Sequence, residues 1–179
     1  LDSYLNKGEK NKTEDINKYD LLAFDIINFD IEIEELLLFK NKYKNIVLKN
    51  SLNNHILTID RLDILDFTGG LANITGEVDL TKKVEEYDLS IDFNHKDFTQ
   101  VHDFYNFPKI FKSLIVGDGL LKISSKGRLN NLNSKVQFEN ANTIILYNGE
   151  VKIQDYFINE YNGNLSISLN NIENTLNFA

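Results

Sequence analysis

The sequence predicts a mainly β fold: an antiparallel, curved or elongated meander sheet with one short capping helix. Three observations predict it, namely apolar and polar residues that alternate, glycine-containing pairs between the alternating runs, and one amphipathic segment that ends in proline. The chain has 179 residues, of which 42% are hydrophobic and 26% are charged. This balance is typical of a soluble folded chain, and the length is that of a single domain.

Alternation is clearest over residues 87–94, where Tyr, Leu, Ile and Phe occupy every second position. Side chains of a strand point to its two faces in turn, so Leu89, Ile91 and Phe93 share one face. The same pattern recurs at residues 31–34, 136–139, 151–154 and 165–170. Strands with one apolar and one polar face are typical of antiparallel sheets. We therefore expect a meander of about eight to ten strands.

Glycine pairs are expected to form the turns between these strands. Asn148-Gly149 and Asn162-Gly163 have the composition of tight hairpins, and Gly69-Gly70 marks another turn. We assign Gly70 to a positive-φ turn position and Gly76 to a crowded or bulged strand position.

A weak internal repeat places glycine before an alternating strand at residues 67–74, 117–123 and 161–167. Such repetition favours a sheet that extends by addition of strands over one that closes into a barrel.

A short helix is predicted near Asp97 to Phe107. Asp97 begins a segment that resembles a capping box, apolar residues such as Phe98 and Val101 share a helical face, and Pro108 ends the segment. We expect this helix to cover the open end of the apolar face.

The first 20 residues lack periodicity and predict a polar linker or a weak helix, so the β-rich domain is expected at residues 21–179. The chain begins at Leu1 and shows no signal-peptide pattern. We therefore expect it to be a fragment of a longer protein.

Composition argues against several functions. A formal charge of −8 argues against binding to nucleic acid, and the absence of cysteine excludes thiolate metal sites. His95 and His102 lack zinc-site spacing, so we interpret the histidines as surface residues. Asp60, Asp63 and Asp66 match no calcium loop, and we interpret them as part of a solvated acidic face. With no catalytic motif, we predict no catalytic, cofactor or metal site.

Residues 65–80, 87–93 and 97–101, followed by Gly117-Asp118-Gly119, resemble the C-terminal region of the AsmA family and, more loosely, TamB-like proteins. The shared features are a Gly-Gly turn, a glycine-containing strand, a further strand with a short helix, and a Gly-x-Gly strand. The resemblance covers residues 21 to 179. It implies a bacterial envelope protein that is anchored in the inner membrane by an N-terminal helix and reaches into the periplasm. Proteins of this kind are implicated in phospholipid transport and outer-membrane homeostasis, and no catalytic or ligand residues carry over.

The alternation and the resemblance together define a candidate apolar groove for phospholipid acyl chains. Its residues are Leu89, Ile91, Phe93, Leu165, Ile167 and Leu169. An ordinary closed core is the commoner outcome for such residues, and we favour it locally while expecting lipid handling for the whole protein.

We accordingly expect a non-enzymatic segment of an AsmA-like protein, with membrane contact through parts outside this chain. The alternative is a structural or adhesive β-module of the envelope without a lipid ligand. A carbohydrate-active enzyme on a β scaffold is the least supported hypothesis, because no pair of carboxylates marks a cleft.

Overall fold

The computed structural model describes residues 26–38, 41–102, 112, 114–154 and 157–170. The described residues form nine strands that pair in chain order, and every neighbouring pair is antiparallel. The strands are β1 (Ile26–Leu38), β2 (Asn41–Asn53), β3 (Ile56–Leu65), β4 (Leu71–Asp79), β5 (Glu86–His95), β6 (Gly119–Arg128), β7 (Asn131–Glu139), β8 (Thr143–Gln154) and β9 (Phe157–Leu169). This confirms the predicted antiparallel meander. The sheet is open, with β1 and β9 as its edges.

The strand register collects the apolar residues on one face, which we call the apolar face. In β5 the apolar side chains of Ile91 and Phe93 alternate with exposed Ser90 and Asp92. Cross-strand partners in antiparallel pairs point to the same side, so this alternation is carried from strand to strand. The opposite side, which we call the polar face, bears Ser90 and Asp92.

The buried core lies at one end of the apolar face, beneath the long connection between β5 and β6, which we call the crossover and of which residues 96–102, 112 and 114–118 are described. It consists of Phe93, Phe98, Val101, Ile115, Phe138 and Ile145. The Phe98 ring makes edge-to-face contacts with Phe138 and Phe93, with centroids 5.0 and 5.7 Å apart. Phe98 and Phe138 are 0% and 1% exposed. The crossover therefore closes this end of the sheet.

Within the predicted helix, the described residues form a 3-10 turn at Phe98–Gln100. Asp97 caps it by accepting a hydrogen bond from the backbone N–H of Thr99 at 3.1 Å. Residues 103–107 of the predicted helix and the predicted linker at residues 1–20 lie outside the described residues.

The two Asn-Gly pairs are not hairpin turns, so that prediction was wrong. Asn148-Gly149 lies within β8 and Asn162-Gly163 within β9, where Gly149 is paired directly with Gly163. A Cβ on Gly149 would lie 2.5 Å from the Gly163 Cα. These glycines therefore allow two backbones to approach closely.

Asparagine and histidine provide a turn that the sequence did not reveal. Asn54 and His55 connect β2 to β3 and have φ angles of 48° and 64°. Two consecutive positive φ angles are those of a type I′ hairpin turn, and asparagine tolerates this conformation.

The predicted turn at Gly69-Gly70 is present between β3 and β4, but its positive-φ residue is Gly69, with φ +94°. Gly70 lies outside the positive-φ region, which corrects the assignment made from sequence. Gly76, by contrast, has φ +143° and is paired with Ile59, where β3 has a register shift. The prediction of a crowded or bulged position at Gly76 is confirmed.

Candidate functional site

The six predicted groove residues lie on the same face of the sheet. Leu89, Ile91 and Phe93 are in β5, and Leu165, Ile167 and Leu169 are in β9. Strands β6, β7 and β8 separate the two groups. The structure therefore places them on one surface without bringing the two groups into contact.

The residues between the two groups complete an apolar row that crosses all nine strands. Each member is the direct cross-strand partner of the next. In strand order the apolar row is Ile31, Leu48, Leu62, Ile74, Ile91, Ile123, Val136, Tyr147 and Leu165. With about 4.8 Å between neighbouring strands, the row extends for about 38 Å.

Exposure along the apolar face differs from place to place, and Ile46 and Leu52 in β2 are buried although they lie outside the core. Phe93 is 9% exposed and belongs to the core, whereas Leu89 and Ile91 are half-buried. Leu165 and Ile167, in edge strand β9, are 45% and 39% exposed. The face is therefore a closed core beneath the crossover and an open apolar surface at β9, and each of the two sequence interpretations fits a different part of it.

Small residues form a second row beside the apolar row. Ser125, Ser134, Gly149 and Gly163 are successive cross-strand partners on the same face. The two serine hydroxyl groups are hydrogen bonded at 2.8 Å. The Tyr147 hydroxyl donates to the carbonyl oxygen of Glu150 at 2.8 Å, and burial of the phenol raises its pKa. The aromatic side chain thus lies over the space that Gly149 leaves free.

The polar face contains a shallow cavity of about 420 Å³ that the sequence analysis missed. Its side chains come from β5, β6, β7 and β8 and include Asp92, Lys122, Lys135 and Asn148. The cavity therefore lies on the opposite side of the sheet from the predicted groove. Its lining combines charged side chains of both signs with apolar residues such as Leu146. Only the strand register brings these residues together.

Two histidines are buried, which corrects their interpretation as surface residues. His95 is 4% exposed and His102 is 6% exposed. The backbone N–H of Asp97 donates to Nδ1 of His95 at 2.8 Å, so the proton resides on Nε2, which donates to the Thr68 carbonyl oxygen at 2.9 Å. In His102, Nε2 is bonded to the Ile115 carbonyl oxygen. The His95 ring therefore joins the start of the crossover to the turn between β3 and β4, and the His102 ring joins two parts of the crossover to each other.

The three aspartates at residues 60, 63 and 66 differ in their surroundings, and Asp60 is exposed. Asp66 is only 7% exposed, so it does not belong to a solvated acidic face. Its carboxylate accepts hydrogen bonds from the backbone N–H groups of Thr68 and Gly70, at 3.0 and 2.8 Å. Asp63 bonds to Arg61, and this hydrogen bond lowers the pKa of Asp63. Among the described residues, no three His, Cys, Asp or Glu side chains are grouped as a metal site would require.

Helices within the described part of the chain are all too short or too polar to cross a bilayer.

A scan against models of protein families and searches of curated proteins and of solved structures found no match. The resemblance to the AsmA family therefore stays a prediction.

Proposed function

We propose that this chain is a non-enzymatic, lipid-handling segment of an AsmA-like protein of the bacterial envelope. Its apolar face contacts the acyl chains of phospholipids, and the parent protein serves phospholipid transport or outer-membrane homeostasis. The segment belongs to the periplasmic part of a protein anchored in the inner membrane. The observation that carries the proposal is the apolar row, which continues without interruption to both open edges of the sheet.

The dimensions of the apolar row suit an acyl chain. The hydrocarbon core of a bilayer is about 30 Å thick and contains two opposed layers of acyl chains, so one chain extends about 15 Å. The row is about 38 Å long and accommodates an extended chain that lies across the strands. Each methylene group removed from water contributes about 0.8 kcal/mol. Contact with even one side of a chain is therefore favourable.

The exposed side chains of β9 provide an entry point to the apolar face for the acyl chain. Leu165 and Ile167 are accessible without any movement of the core, which lies under the crossover. Large apolar side chains that cluster on a surface are typical of binding sites for apolar partners. A lipid can therefore reach the face from the β9 edge while the sheet stays folded.

The test measures uptake of a fluorescent acyl probe and of phospholipid by the purified chain. Ile167→Asp places a carboxylate on the open part of the apolar face, while Ser166→Asp is the matched control on the neighbouring, polar-facing position of the same strand. Loss of one partly buried isoleucine contact, about 1.5 kcal/mol, weakens probe binding about tenfold. Ser166→Asp leaves binding unchanged. Native mass spectrometry detects phospholipid retained by the wild-type chain.

Absence of lipid and probe from the folded wild-type chain would contradict the proposal, as would equal losses in both variants. Circular dichroism verifies that both variants keep the β-sheet signal. Because Ile167 is 39% exposed, the introduced carboxylate stays in contact with water, and the fold tolerates it.

The second candidate function is a structural or adhesive module of the envelope without a lipid ligand. The closed core favours it, since Phe98 and Phe138 seal one end of the apolar face against any ligand. This alternative predicts a folded protein that takes up neither probe nor phospholipid.

A further inference from the structure

The open sheet exposes two unusually long edge strands. Strands β1 and β9 each have 13 residues, whereas a typical strand has about 5 or 6. An edge strand presents backbone N–H and C=O groups that have no partner within the sheet, and it pairs readily with another strand. Proteins usually prevent such pairing with charged residues, prolines or bulges on the edge.

The two edges differ in charge. Strand β1 carries four exposed carboxylates, at Asp30, Glu32, Glu34 and Glu35. Those of Asp30 and Glu35 form ion pairs with lysines of the neighbouring strand β2. Among the described side chains of β9, only Glu160 is charged, and it forms an ion pair with Lys152 of the neighbouring strand β8. Strand β1 is therefore protected against pairing by its carboxylates, whereas β9 has one bulge, between residues 158 and 160, and pairs regularly with β8 from Glu160 to Leu169.

The side chains of β9 suit pairing with an identical strand. Its polar positions carry neutral side chains that neither repel nor require a cation, at Asn162, Asn164, Ser166 and Ser168. Its apolar positions end in side chains that are open to water, with Tyr161 69% exposed, Leu165 45% and Ile167 39%. A second strand beside β9 would cover these side chains with apolar groups.

We infer that β9 is the interface between two copies of this chain, with β9 of one copy paired antiparallel with β9 of the other. A twofold axis near Leu165 places Tyr161 opposite the partner strand's position 169 and leaves no like charges opposite each other. The same arrangement at β1 would set carboxylates against carboxylates, which is destabilising. Pairing of β1 with β9 would bring no further cation to the carboxylates of β1 and would continue without closing. The β9 arrangement closes as a dimer and continues the apolar face across both copies.

The first test measures the mass of the full chain in solution. Sedimentation velocity over a range of concentrations shows a species of twice the 20.7 kDa chain mass. Asn164→Lys sets two ammonium groups near the twofold axis, and the dimer dissociation constant rises about tenfold or more. The matched control is Asn28→Lys, the same substitution on the other edge strand, and it leaves the dissociation constant unchanged.

Cross-linking locates the interface independently of affinity. The chain has no cysteine, so Leu165→Cys introduces a single thiol on the proposed axis, where position 165 faces itself in the other copy, and Asn28→Cys a single thiol on β1. Mild oxidation links two copies through position 165 and not through position 28, because a disulfide requires Cα atoms within about 7 Å. A chain that is monomeric at every concentration, a ladder of higher oligomers, or preferential linkage through position 28 would overturn the inference.

Discussion

Substitution of alanine for Gly69, Gly70 and Gly76 separates the cost of backbone strain from the cost of crowding, which usually occur together. Gly69 has φ +94° and open space around the position of a Cβ atom. Gly70 lies outside the positive-φ region, but a Cβ there would overlap the Phe93 ring. Gly76 has φ +143°, and its Cβ would overlap the backbone carbonyl oxygen of Asp88. Gly69→Ala therefore measures backbone strain alone, Gly70→Ala measures crowding alone, and Gly76→Ala measures both together.

The expected losses of stability follow from these geometries. Gly69→Ala forces a left-handed conformation on an L-residue, which costs about 1–2 kcal/mol. Gly70→Ala overpacks the space beside a movable aromatic ring and costs about 1–3 kcal/mol. Gly76→Ala adds about 1–3 kcal/mol of backbone strain to about 1–3 kcal/mol of overpacking, so about 4 kcal/mol is the midpoint. Since a backbone atom cannot rotate away as a ring can, Gly76 is the costliest of the three.

Thermal unfolding followed by circular dichroism measures the melting temperatures of the three variants and so ranks their losses of stability. For a domain of this size, 1 kcal/mol lowers the melting temperature by about 2–4 °C, so Gly76→Ala lowers it by about 8–16 °C. Gly69→Ala and Gly70→Ala lower it by smaller amounts. If Gly76→Ala were no more destabilising than Gly69→Ala, the carbonyl contact would not be a real constraint and the reasoning would fail.

Two further predictions concern the core and the crossover cap. Phe138→Ala removes a ring that is 1% exposed, and we expect it to lower the free energy of unfolding by about 3–5 kcal/mol. Leu146→Ala on the polar face is the control, and we expect it to lower the free energy of unfolding by less than about 1 kcal/mol. The Thr99 hydroxyl donates to Asp97 and lowers the pKa of that carboxyl. A group whose pKa is lower in the folded state contributes stability above its unfolded pKa, and this stability is lost as the pH falls through its folded pKa. The urea midpoint of the wild-type chain should therefore drop below about pH 4, and Asp97→Asn should reduce that drop. An unchanged acid dependence in Asp97→Asn would contradict this cause.

The alternation of apolar and polar residues was sufficient to predict the antiparallel meander. A period of two has one physical meaning in a strand, because successive side chains must point to opposite faces. Residues 87–94 lie entirely within β5, and the apolar positions share one face as expected. Local sequence therefore determined which side chains are neighbours on a face.

Turn chemistry was less informative, because a glycine can serve either a turn or a close approach of two backbones. At Gly149 and Gly163 the close approach prevails, since the two residues are direct partners in adjacent strands. The turn at Asn54 and His55 was missed for a different reason, because it contains no glycine. Such choices depend on which strand lies beside which, and no short segment contains that information.

The candidate site shows the same division between local and non-local information. The sequence identified Ile91 and Leu165 as members of an apolar face from their own strands. Only the register of β5 through β9 shows that the two residues belong to one row. The residues between them in this row are Ile123, Val136 and Tyr147. The polar-face cavity depends on the same register, which explains why it could not be predicted.

The lipid proposal and the dimer proposal share strand β9 but depend on different groups within it. Lipid contact depends on apolar side chains such as Ile167, whereas dimer formation depends on the outward backbone groups and on the neutral polar positions such as Asn164. Asn164→Lys therefore separates the copies and leaves the apolar face of each copy intact. If it abolished probe uptake while Ile167→Asp did not, the lipid site would lie across the dimer interface instead of on each sheet. If each variant affected only its own measurement, the two functions of β9 would be independent.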